Sequence, residues 1–307
     1  MKKIYYILIA GLLLICNYSC KQNKQQAEEK PQGIVISQEE AEALEAPEIQ
    51  GMTEEERAEY MNQDAPDEGL SKKVYDDLEM PGELLNKSET ILMKSQFTIS
   101  FNSHTNCPNY VCWHLYKGRT YGNEQRPDDF TPEPAFTPAD QVTTHDYSGS
   151  GYDRGHMCPA GDNKNSHEAM LESFMMTNVC PQKHDLNEGD WNELEMLCRD
   201  WARNYGDIYI CCGPIFDSDN PKTIGKRDRD IRIAVPDRFF KVVLKMGKNP
   251  RAIGFIFPND ATRRDLRSYA VSVDRVEHET GIDFFPLLED DVEKKVESEC
   301  KPADWNI

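Results

Sequence analysis

The sequence predicts an α+β fold with an antiparallel core sheet, preceded by a leader and an acidic linker. Two observations on the 307-residue chain support this prediction. Short strand-like runs, either alternating or continuously apolar, recur between residues 97 and 257, whereas helical periodicity is confined to a few segments. Many short strands with few helices are typical of an α+β fold. The acidic residues are concentrated ahead of this region, which separates a linker from a globular domain.

The first twenty residues have the pattern of an export signal. A basic start precedes an apolar run over 4–16, which is shorter than the roughly 20 residues of a membrane-spanning helix. Cys20 follows the small residue Ser19 and resembles the cysteine of a bacterial lipobox, with Asn17 where leucine is usual. We predict a lipoprotein signal peptide over 1–19, lipidation at Cys20, and an extracytoplasmic protein anchored by lipid to a bacterial membrane. Plain secretion and an uncleaved anchor are the alternatives.

The segment after the leader predicts a flexible linker. Residues 28–83 contain 18 acidic and 4 basic side chains, with few aromatic residues. Such a composition buries too little apolar surface to offset the entropy lost on folding. We therefore predict an acidic linker over 21–88, a folded domain over 89–290 and an acidic tail over 291–307.

The strands of the domain are predicted from alternating or continuous apolar residues. The predicted strands cover residues 97–101, 111–116, 207–213, 231–235, 239–246 and 252–257. A proline-punctuated loop is predicted over 127–138, and a more helical segment over 266–280.

One helix is predicted to present polar side chains on a single face. It begins near Asn187 or Gly189, with Asp190 as a candidate N-cap. Its predicted packing face comprises Trp191, Leu194, Cys198 and Trp201. Asn187, Glu195 and Arg199 follow one another at multiples of four residues, so they lie close to one face of a helix. An ordinary surface pair between Glu195 and Arg199 is the alternative interpretation.

The residue types near this helix suit phosphodiester hydrolysis. That reaction needs a base for water, a cation on the phosphoryl oxygens and stabilisation of the leaving oxygen. His156 suits the first task because a neutral histidine accepts a proton near neutral pH. An asparagine amide suits Mg²⁺, which prefers oxygen ligands and keeps most of its waters. Arginines suit phosphate oxygens, and Gly155 would allow close approach beside His156.

The order and spacing of these motifs resemble a known family. The tetrapeptide Asp-Arg-Gly-His at 153–156 is followed by Asn178-x-x-Pro-Gln, by Asn187-x-Gly-x-Trp, and by Glu195 and Arg199. This arrangement resembles the DNA/RNA non-specific endonuclease family, and the similarity extends over about residues 90–290. The resemblance implies a ββα-metal (His-Me finger) nuclease fold with a central antiparallel sheet and flanking helices.

The resemblance also implies roles for individual residues. His156 would be the general base. Asn187 would be the single direct protein ligand of Mg²⁺, and Glu195 would bind the water molecules around the metal. Arg154 and Arg199 would stabilise charge on the phosphate.

Two further residues are expected to support the site. Asn178 would orient His156 or the substrate. Asp153 would be structural and would hold the strand or Arg154.

These roles imply a Mg²⁺-dependent endonuclease that cleaves DNA and RNA with little sequence preference, Mn²⁺ being an alternative metal. No obligate protein partner is evident.

The formal charge of −19 is unusual for a sequence-independent nucleic-acid binder. Two basic clusters are either phosphate-binding or ordinary surface: Lys222, Lys226, Arg227, Arg229 and Arg232; and Arg263, Arg264 and Arg267. The alternatives are an inactive, nucleic-acid-binding surface lipoprotein and a phosphodiesterase for small nucleotides.

Eight cysteines follow the leader. An even number in an exported chain predicts disulfide bonds, although their connectivity stays open. Cys107 with Cys112 and Cys158 with Cys180 are the candidate pairs. Structural zinc is disfavoured because no C-x₂-C spacing occurs.

Overall fold

The fold is that of a computed structural model, which describes residues 77–85, 87–260 and 262–307. The predicted signal peptide, Cys20 and the linker up to residue 76 lie outside the described residues. Among the residues that are described, no helix is long and apolar enough to cross a membrane. The end of the predicted linker belongs to the folded region, because Leu78 and Leu84 are buried in it.

A central antiparallel sheet organises the domain, as the sequence predicts. Its seven strands are ordered β1-β2-β3-β6-β9-β10-β11, and every neighbouring pair is antiparallel. Their bounds are β1 Thr90–Met93, β2 Thr98–Asn102, β3 Cys107–Leu115, β6 Ile208–Ile215, β9 Arg238–Lys245, β10 Arg251–Pro258 and β11 Ala270–Val271.

Two small sheets accompany the central one. Strand β4, Asp153–His156, pairs with β5, Val179–Gln182, and β7, Thr223–Ile224, pairs with β8, Ile233–Ala234. The predicted strand over 231–235 is therefore confined to two residues, outside the central sheet.

Helices cover both faces of the central sheet. They are α1 Thr144–Tyr147, α2 His167–Ser173, α3 Trp191–Tyr205, α4 Val273–Thr280 and α5 Asp290–Ser298. Side chains alternate across strand β6, so that Cys212 joins the core under α3 while Cys211 joins the core under α4 and α5. The sheet thus separates the face that carries α3 from the face that carries α4 and α5.

The segment over 266–280 is less helical than predicted. It contains a 3₁₀ turn over Leu266–Tyr269, strand β11 and then helix α4. The Ser272 side chain accepts a hydrogen bond from the Arg275 backbone and caps α4, which explains why the helix begins only at Val273.

Helix α3 begins differently from the prediction. A π-type turn over Leu186–Asp190 precedes it, and within this turn Gly189 leaves the helical conformation (φ −100°, ψ −113°). Asp190 is not a side-chain cap of the helix. Instead, its buried carboxylate accepts hydrogen bonds from the Tyr269 hydroxyl at 2.6 Å and the Arg264 backbone at 3.0 Å. Asp190 therefore joins the start of α3 to the loop before β11.

The predicted acidic tail is folded onto the domain. Val296 of α5 and Trp305 are each 1% exposed, and Trp201 Nε1 donates a hydrogen bond to the Trp305 carbonyl at 2.9 Å. A few apolar residues among many charges suffice to pack this segment, and the folded region continues past residue 290.

The predicted disulfides do not form, because all eight described cysteines are free thiols. Cys107 and Cys112 lie on the same strand, an odd number of residues apart, so their side chains enter opposite cores. Burial, together with the neighbouring Cys107, raises the pKa of Cys180 well above its ordinary value. The Cys158 sulfur instead lies 3.4 Å from Asn163 Nδ2.

Candidate active site

The candidate site is built on the β4–β5 hairpin and on helix α3. Asp153 of β4 lies opposite Gln182 of β5, and His156 lies opposite Val179. A Cβ atom at Gly155 would lie 2.1 Å from Gln182 Oε1. Gly155 is therefore required by the Gln182 side chain that crosses it.

His156 occupies an aromatic pocket. Its ring centroid lies 5.0 Å from that of Phe130 and 4.8 Å from that of Phe174. Trp191 Nε1 donates to the His156 carbonyl at 3.2 Å and joins this strand to α3. The buried Nε2 atom makes no hydrogen bond to any described residue. Burial, together with the charges of Arg126 and Arg154, lowers the pKa of His156 to about 3. The imidazole is therefore neutral near pH 7, with a nitrogen able to accept a proton.

Asp153 orients Asn187. Its Oδ2 atom accepts a hydrogen bond from Asn187 Nδ2 at 3.0 Å and lies 2.9 Å from His184 Nδ1. Because the Asn187 nitrogen is engaged, the amide oxygen is the atom left for a metal ion. Of the two structural roles expected for Asp153, holding the strand or holding Arg154, the second is not seen, because its carboxylate contacts Asn187 and His184. The exposed Arg154 guanidinium instead lies 4.9 Å from the centroid of the Phe130 ring.

Asn187 lies in the turn before α3 rather than on the helix itself. The predicted spacing of four residues therefore describes Trp191, Glu195 and Arg199, all of which are within α3, but not Asn187. The π-type turn, and not the periodicity of the helix, brings Asn187 to Asp153.

Arg199 is held by a buried carboxylate that the sequence did not single out. Its Nη1 atom lies 2.9 Å from Asp162 Oδ1, and Trp113 Nε1 donates to Asp162 Oδ2 at 3.0 Å. A Cβ atom at Gly161 would lie 2.7 Å from Arg199 Nη1, so this glycine leaves space for the guanidinium. Burial disfavours the charged form of Arg199, but the carboxylates of Asp162 and Glu195 raise its pKa.

The pKa of Glu195 reflects the opposing effects of burial and of nearby positive charges. Burial raises the pKa of Glu195 to about 7, although Lys241 and Arg199 act in the opposite direction. Lys241 is fully buried in β9, and its Nζ atom lies 4.2 Å from the centroid of the Trp191 ring. Burial disfavours the charge of Lys241, but nearby groups, including Cys212 and Glu195, raise its pKa. Glu195 and Lys241 thus interact electrostatically on the buried side of the site.

Asn178 supports the site from behind. It is fully buried, its Oδ1 accepts from the Cys158 backbone at 3.0 Å, and its Nδ2 donates to the carbonyls of Cys158 and Ser173, each at 2.8 Å. The sequence predicts that Asn178 orients His156 or the substrate. Its hydrogen bonds position the chain just after His156, and its catalytic role stays a prediction.

The structure brings the predicted residues into two connected groups. One group comprises His156, Arg154 and the Asn187 amide fixed by Asp153, and the other comprises Glu195 and Arg199. The charge of Arg126 acts on both His156 and Glu195. The two groups are joined at the junction of the hairpin and α3, where Trp191 donates to the His156 carbonyl.

Three members of the site were missed by sequence reasoning. Lys241 could have been noticed as a charge in an otherwise apolar strand, and Asp162 as an acid that closely follows the His156 motif. No signal in the sequence distinguishes Arg126 from other loop arginines.

The predicted basic clusters are largely engaged in structural contacts. Arg229 Nε lies 2.8 Å from Asp146 Oδ1, and Arg232 Nη1 donates to backbone carbonyls. In the second cluster, Arg263 pairs with Asp190. The lysines nearer the hairpin differ, because Lys183 and Lys222 both extend over the ring of Tyr152, at 4.5 and 5.1 Å from its centroid.

The donor atoms of the site fit a hydrated Mg²⁺ ion. Within the described part of the chain, they are the Asn187 amide oxygen and the half-buried Glu195 carboxylate. A sparse, oxygen-only set suits Mg²⁺, which retains several waters and binds few protein groups.

Comparisons with known proteins agree with this geometry. A sequence model of the family described as DNA/RNA non-specific endonuclease matches residues 76–291. The mitochondrial nuclease EXOG of Xenopus laevis is 36% identical over 206 residues, which cover 63% of this chain and 57% of that protein. A protein named Nuclease from Nostoc sp. is 33% identical over 227 residues, which cover 70% of this chain and 80% of that protein.

A solved structure shares the fold. A chain in the crystal structure of the EndoG/EndoGI complex superposes with a TM-score of 0.60 at 25% identity, covering 67% of this chain and 89% of that chain. The present chain spans somewhat more than half the length of the EXOG relatives that it matches.

Proposed function

The chain belongs to the DNA/RNA non-specific endonuclease family, and we propose that it is a Mg²⁺-dependent endonuclease. It would hydrolyse phosphodiester bonds in DNA and RNA with little sequence specificity, and Mn²⁺ would substitute for Mg²⁺. The observation that carries the proposal is the buried, unpartnered Nε2 atom of His156 on the same short strand as Asp153, which fixes the Asn187 amide. The similarity to nucleases from a vertebrate and a cyanobacterium supports the same reaction class.

His156 would act as the general base. Its pocket keeps the imidazole neutral, so that Nε2 can take a proton from the attacking water. Phe130 and Phe174 restrict the ring and exclude bulk water from one side of it. The Trp191 hydrogen bond to the His156 carbonyl fixes the base relative to helix α3.

Asn187 and Glu195 would hold the metal ion, Asn187 directly through its amide oxygen and Glu195 through bound water. When bound, Mg²⁺ would supply positive charge to the phosphoryl oxygens and to the leaving oxygen. Arg199 uses one guanidinium nitrogen on Asp162 and has further N–H groups for a phosphate. Arg154 is exposed beside His156 and would contact the phosphate from the other side.

Lys183, Lys222 and Tyr152 offer a contact surface for a nucleic-acid strand next to the hairpin. Two ammonium groups beside one aromatic ring can bind phosphates while the ring stacks on a base. With few such contacts on an acidic chain, binding would be modest and would weaken strongly as salt is added.

Digestion of plasmid DNA and of RNA tests the proposal, with Mg²⁺ and with EDTA. His156→Ala should lower kcat by roughly 10²–10⁴, as expected when a general base is lost. His278→Ala, an exposed histidine on the opposite face of the sheet, should leave the rate unchanged. Intact substrates across pH 6–9 would contradict the proposed nuclease activity. Full activity of His156→Ala would contradict the assignment of His156 as the general base. Cleavage of a dinucleotide but not of long DNA would favour the small-nucleotide alternative.

We propose in addition that the protein is exported and lipid-anchored through Cys20. The support is the basic start, the short apolar run and the small residue before Cys20. Metabolic labelling with a fatty-acid analogue tests this proposal in a bacterial host. The label should enter the wild-type chain and be lost in Cys20→Ser, whereas an unlabelled wild-type chain found in the medium would indicate plain secretion.

A further inference from the structure

A second group of oxygen ligands lies on the face of the sheet opposite the candidate active site. Asp274 and Glu277 are three residues apart on α4, which places them on neighbouring positions of one helical face. Glu297 lies near the end of α5. One carboxylate oxygen from each of the three residues lies within 4.8 Å of the others. Two helices that pack on the same core therefore direct three carboxylates to one point.

Glu297 distinguishes this group from an ordinary acidic surface. The residue is only 4% exposed, and its Oε1 atom is buried without a hydrogen bond to any described residue. A buried carboxylate without a partner is costly, so it requires either a proton or a cation. The charged groups with the largest effect on Glu297 are all carboxylates: Glu277, Glu293, Asp274 and Asp283. Burial, and after it these carboxylates, raise the pKa of Glu297 to about 9.

Glu279 on the same helix provides an internal contrast. Its carboxylate forms ion pairs with Arg238, at 2.9 Å, and with Arg275. These hydrogen bonds and charges lower the pKa of Glu279. The fold thus provides arginine partners for one carboxylate of α4, while Asp274 and Glu277 face a third carboxylate.

We propose that Asp274, Glu277 and Glu297 bind a Ca²⁺ ion that joins α4 to α5. Ca²⁺ accepts six to eight oxygen ligands in flexible geometry, and carboxylates with water are its usual donors. Glu277 Oε1 accepts the Phe284 N–H at 2.8 Å, which orients this carboxylate and leaves its second oxygen for the ion. Asp274 is exposed, so water completes the coordination from that side.

The family assignment does not account for this site, because Glu297 lies outside the segment that the family model matches. The family match ends at residue 291, so one of the three ligands lies outside the matched segment. The site is also independent of the proposed nuclease chemistry, because it lies across the sheet from His156 and Asn187.

Calcium titration of the full chain tests the proposal, with excess Mg²⁺ present to saturate the proposed catalytic site. Equilibrium dialysis with ⁴⁵Ca²⁺ should find one bound ion for each wild-type chain and none for Glu297→Gln. At a hundredfold excess over Kd, Ca²⁺ should raise the wild-type Tm by about 5 °C or more and leave the Tm of Glu297→Gln unchanged. The variant should keep the wild-type nuclease rate.

Two further variants make the result specific. Asp274→Asn alters only an exposed ligand, so it should fold normally and weaken Ca²⁺ binding about tenfold or more. Glu279→Gln removes a carboxylate of the same helix that is paired with arginines, so it should retain the bound ion. Binding that persists in both Glu297→Gln and Asp274→Asn would place the ion elsewhere and overturn the proposal. A wild-type chain that binds no Ca²⁺, with Glu297→Gln more stable than wild type in EDTA, would show that Glu297 is a neutral buried acid and would also overturn it.

Discussion

Burial favours the neutral form of both His156 and Glu195, and this shifts their pKa values in opposite directions. Loss of water disfavours the charged form of each group, so it lowers the pKa of His156 to about 3 and raises that of Glu195 to about 7. The neutral histidine is ready to accept a proton. The neutral form of Glu195, by contrast, binds the hydrated metal poorly, so proton binding and metal binding compete at this residue.

This competition predicts a metal-dependent acid limb in the pH profile of cleavage. As the pH falls through about 7, Glu195 takes up a proton and loses its attraction for the metal's water shell. Mg²⁺ favours the charged carboxylate, so a higher Mg²⁺ concentration should move the acid limb of kcat/KM to lower pH. Rates measured between pH 5 and 9 at limiting and at saturating Mg²⁺ check this. Glu193→Gln, which alters an exposed neighbour on α3, should keep this Mg²⁺-dependent shift of the acid limb. An acid limb that does not move with Mg²⁺ concentration would contradict the role of Glu195.

Asp153 is the second residue at which a prediction can be tested. Asp153→Asn removes the negative charge that fixes Asn187 Nδ2 and allows the Asn187 amide to turn. Loss of such a supporting contact typically lowers metal affinity 10–100-fold, so the variant should need correspondingly more Mg²⁺ for half-maximal cleavage. His184→Ala, which removes the other partner of Asp153, should have a much smaller effect. An unchanged Mg²⁺ titration of Asp153→Asn would mean that Asp153 only stabilises the strand.

At the scale of elements, the site depends on two irregularities that interrupt regular structure. The π-type turn over Leu186–Asp190 moves Asn187 off the helix and towards Asp153. Asp190 then ties the start of α3 to the loop that carries Arg263 and Arg264. Regular periodicity alone would have given a longer helix and a differently placed metal ligand.

The close crossing of Gln182 over Gly155 predicts the cost of altering the β4–β5 hairpin. In Gly155→Ala the new Cβ atom would lie 2.1 Å from Gln182 Oε1 and 2.6 Å from its Cβ, so the strands must shift. Overpacking of this kind costs about 1–3 kcal/mol of unfolding free energy, which denaturant titration can measure. Activity should also fall because His156 is the next residue along β4.

The double variant Gly155→Ala with Gln182→Gly supplies the control for this prediction. It removes the atoms of residue 182 that the new methyl group would meet. Its loss of stability should therefore be smaller than the sum of the two single losses. Additive losses would show that Gly155 is required for another reason.

At the scale of the whole molecule, the sequence predicted those features that repeat or that keep a fixed order. Alternating or continuously apolar residues located five of the seven strands of the central sheet, namely β2, β3, β6, β9 and β10. The order of the motifs identified the family and predicts that His156, Asn187, Glu195 and Arg199 share one site. Both signals are local in the sequence, and a single chain is sufficient to read them.

The features that were missed depend on contacts between distant residues. Asp162 was missed because its partner Arg199 is 37 residues away, and Lys241 because its role arises only when β9 packs under α3. The predicted disulfide between Cys107 and Cys112 relied on their closeness in the sequence. Alternation along strand β3 instead directs the two side chains to opposite faces of the sheet. The segment after residue 290 looked like a tail because charges outnumber its few buried residues.

That last difference predicts how the end of the chain contributes to stability. Trp305 is 1% exposed, its ring lies 4.7 Å from the ring of Trp201, and Arg251 lies 4.9 Å from its centroid. Trp201 belongs to α3, the helix that carries Glu195 and Arg199. Trp305→Ala should therefore lower the unfolding free energy by about 3–5 kcal/mol, as for other buried tryptophans.

Thermal or denaturant unfolding, with nuclease activity recorded in parallel, measures this effect. Asp304→Ala, an exposed neighbour, should change the unfolding free energy by less than about 0.5 kcal/mol. In Trp305→Ala, activity should persist well below the lowered Tm and disappear together with the fold, because Trp305 supports α3 without contacting the reacting groups. Wild-type stability in Trp305→Ala would mean that the segment is the dispensable acidic tail that its composition predicts.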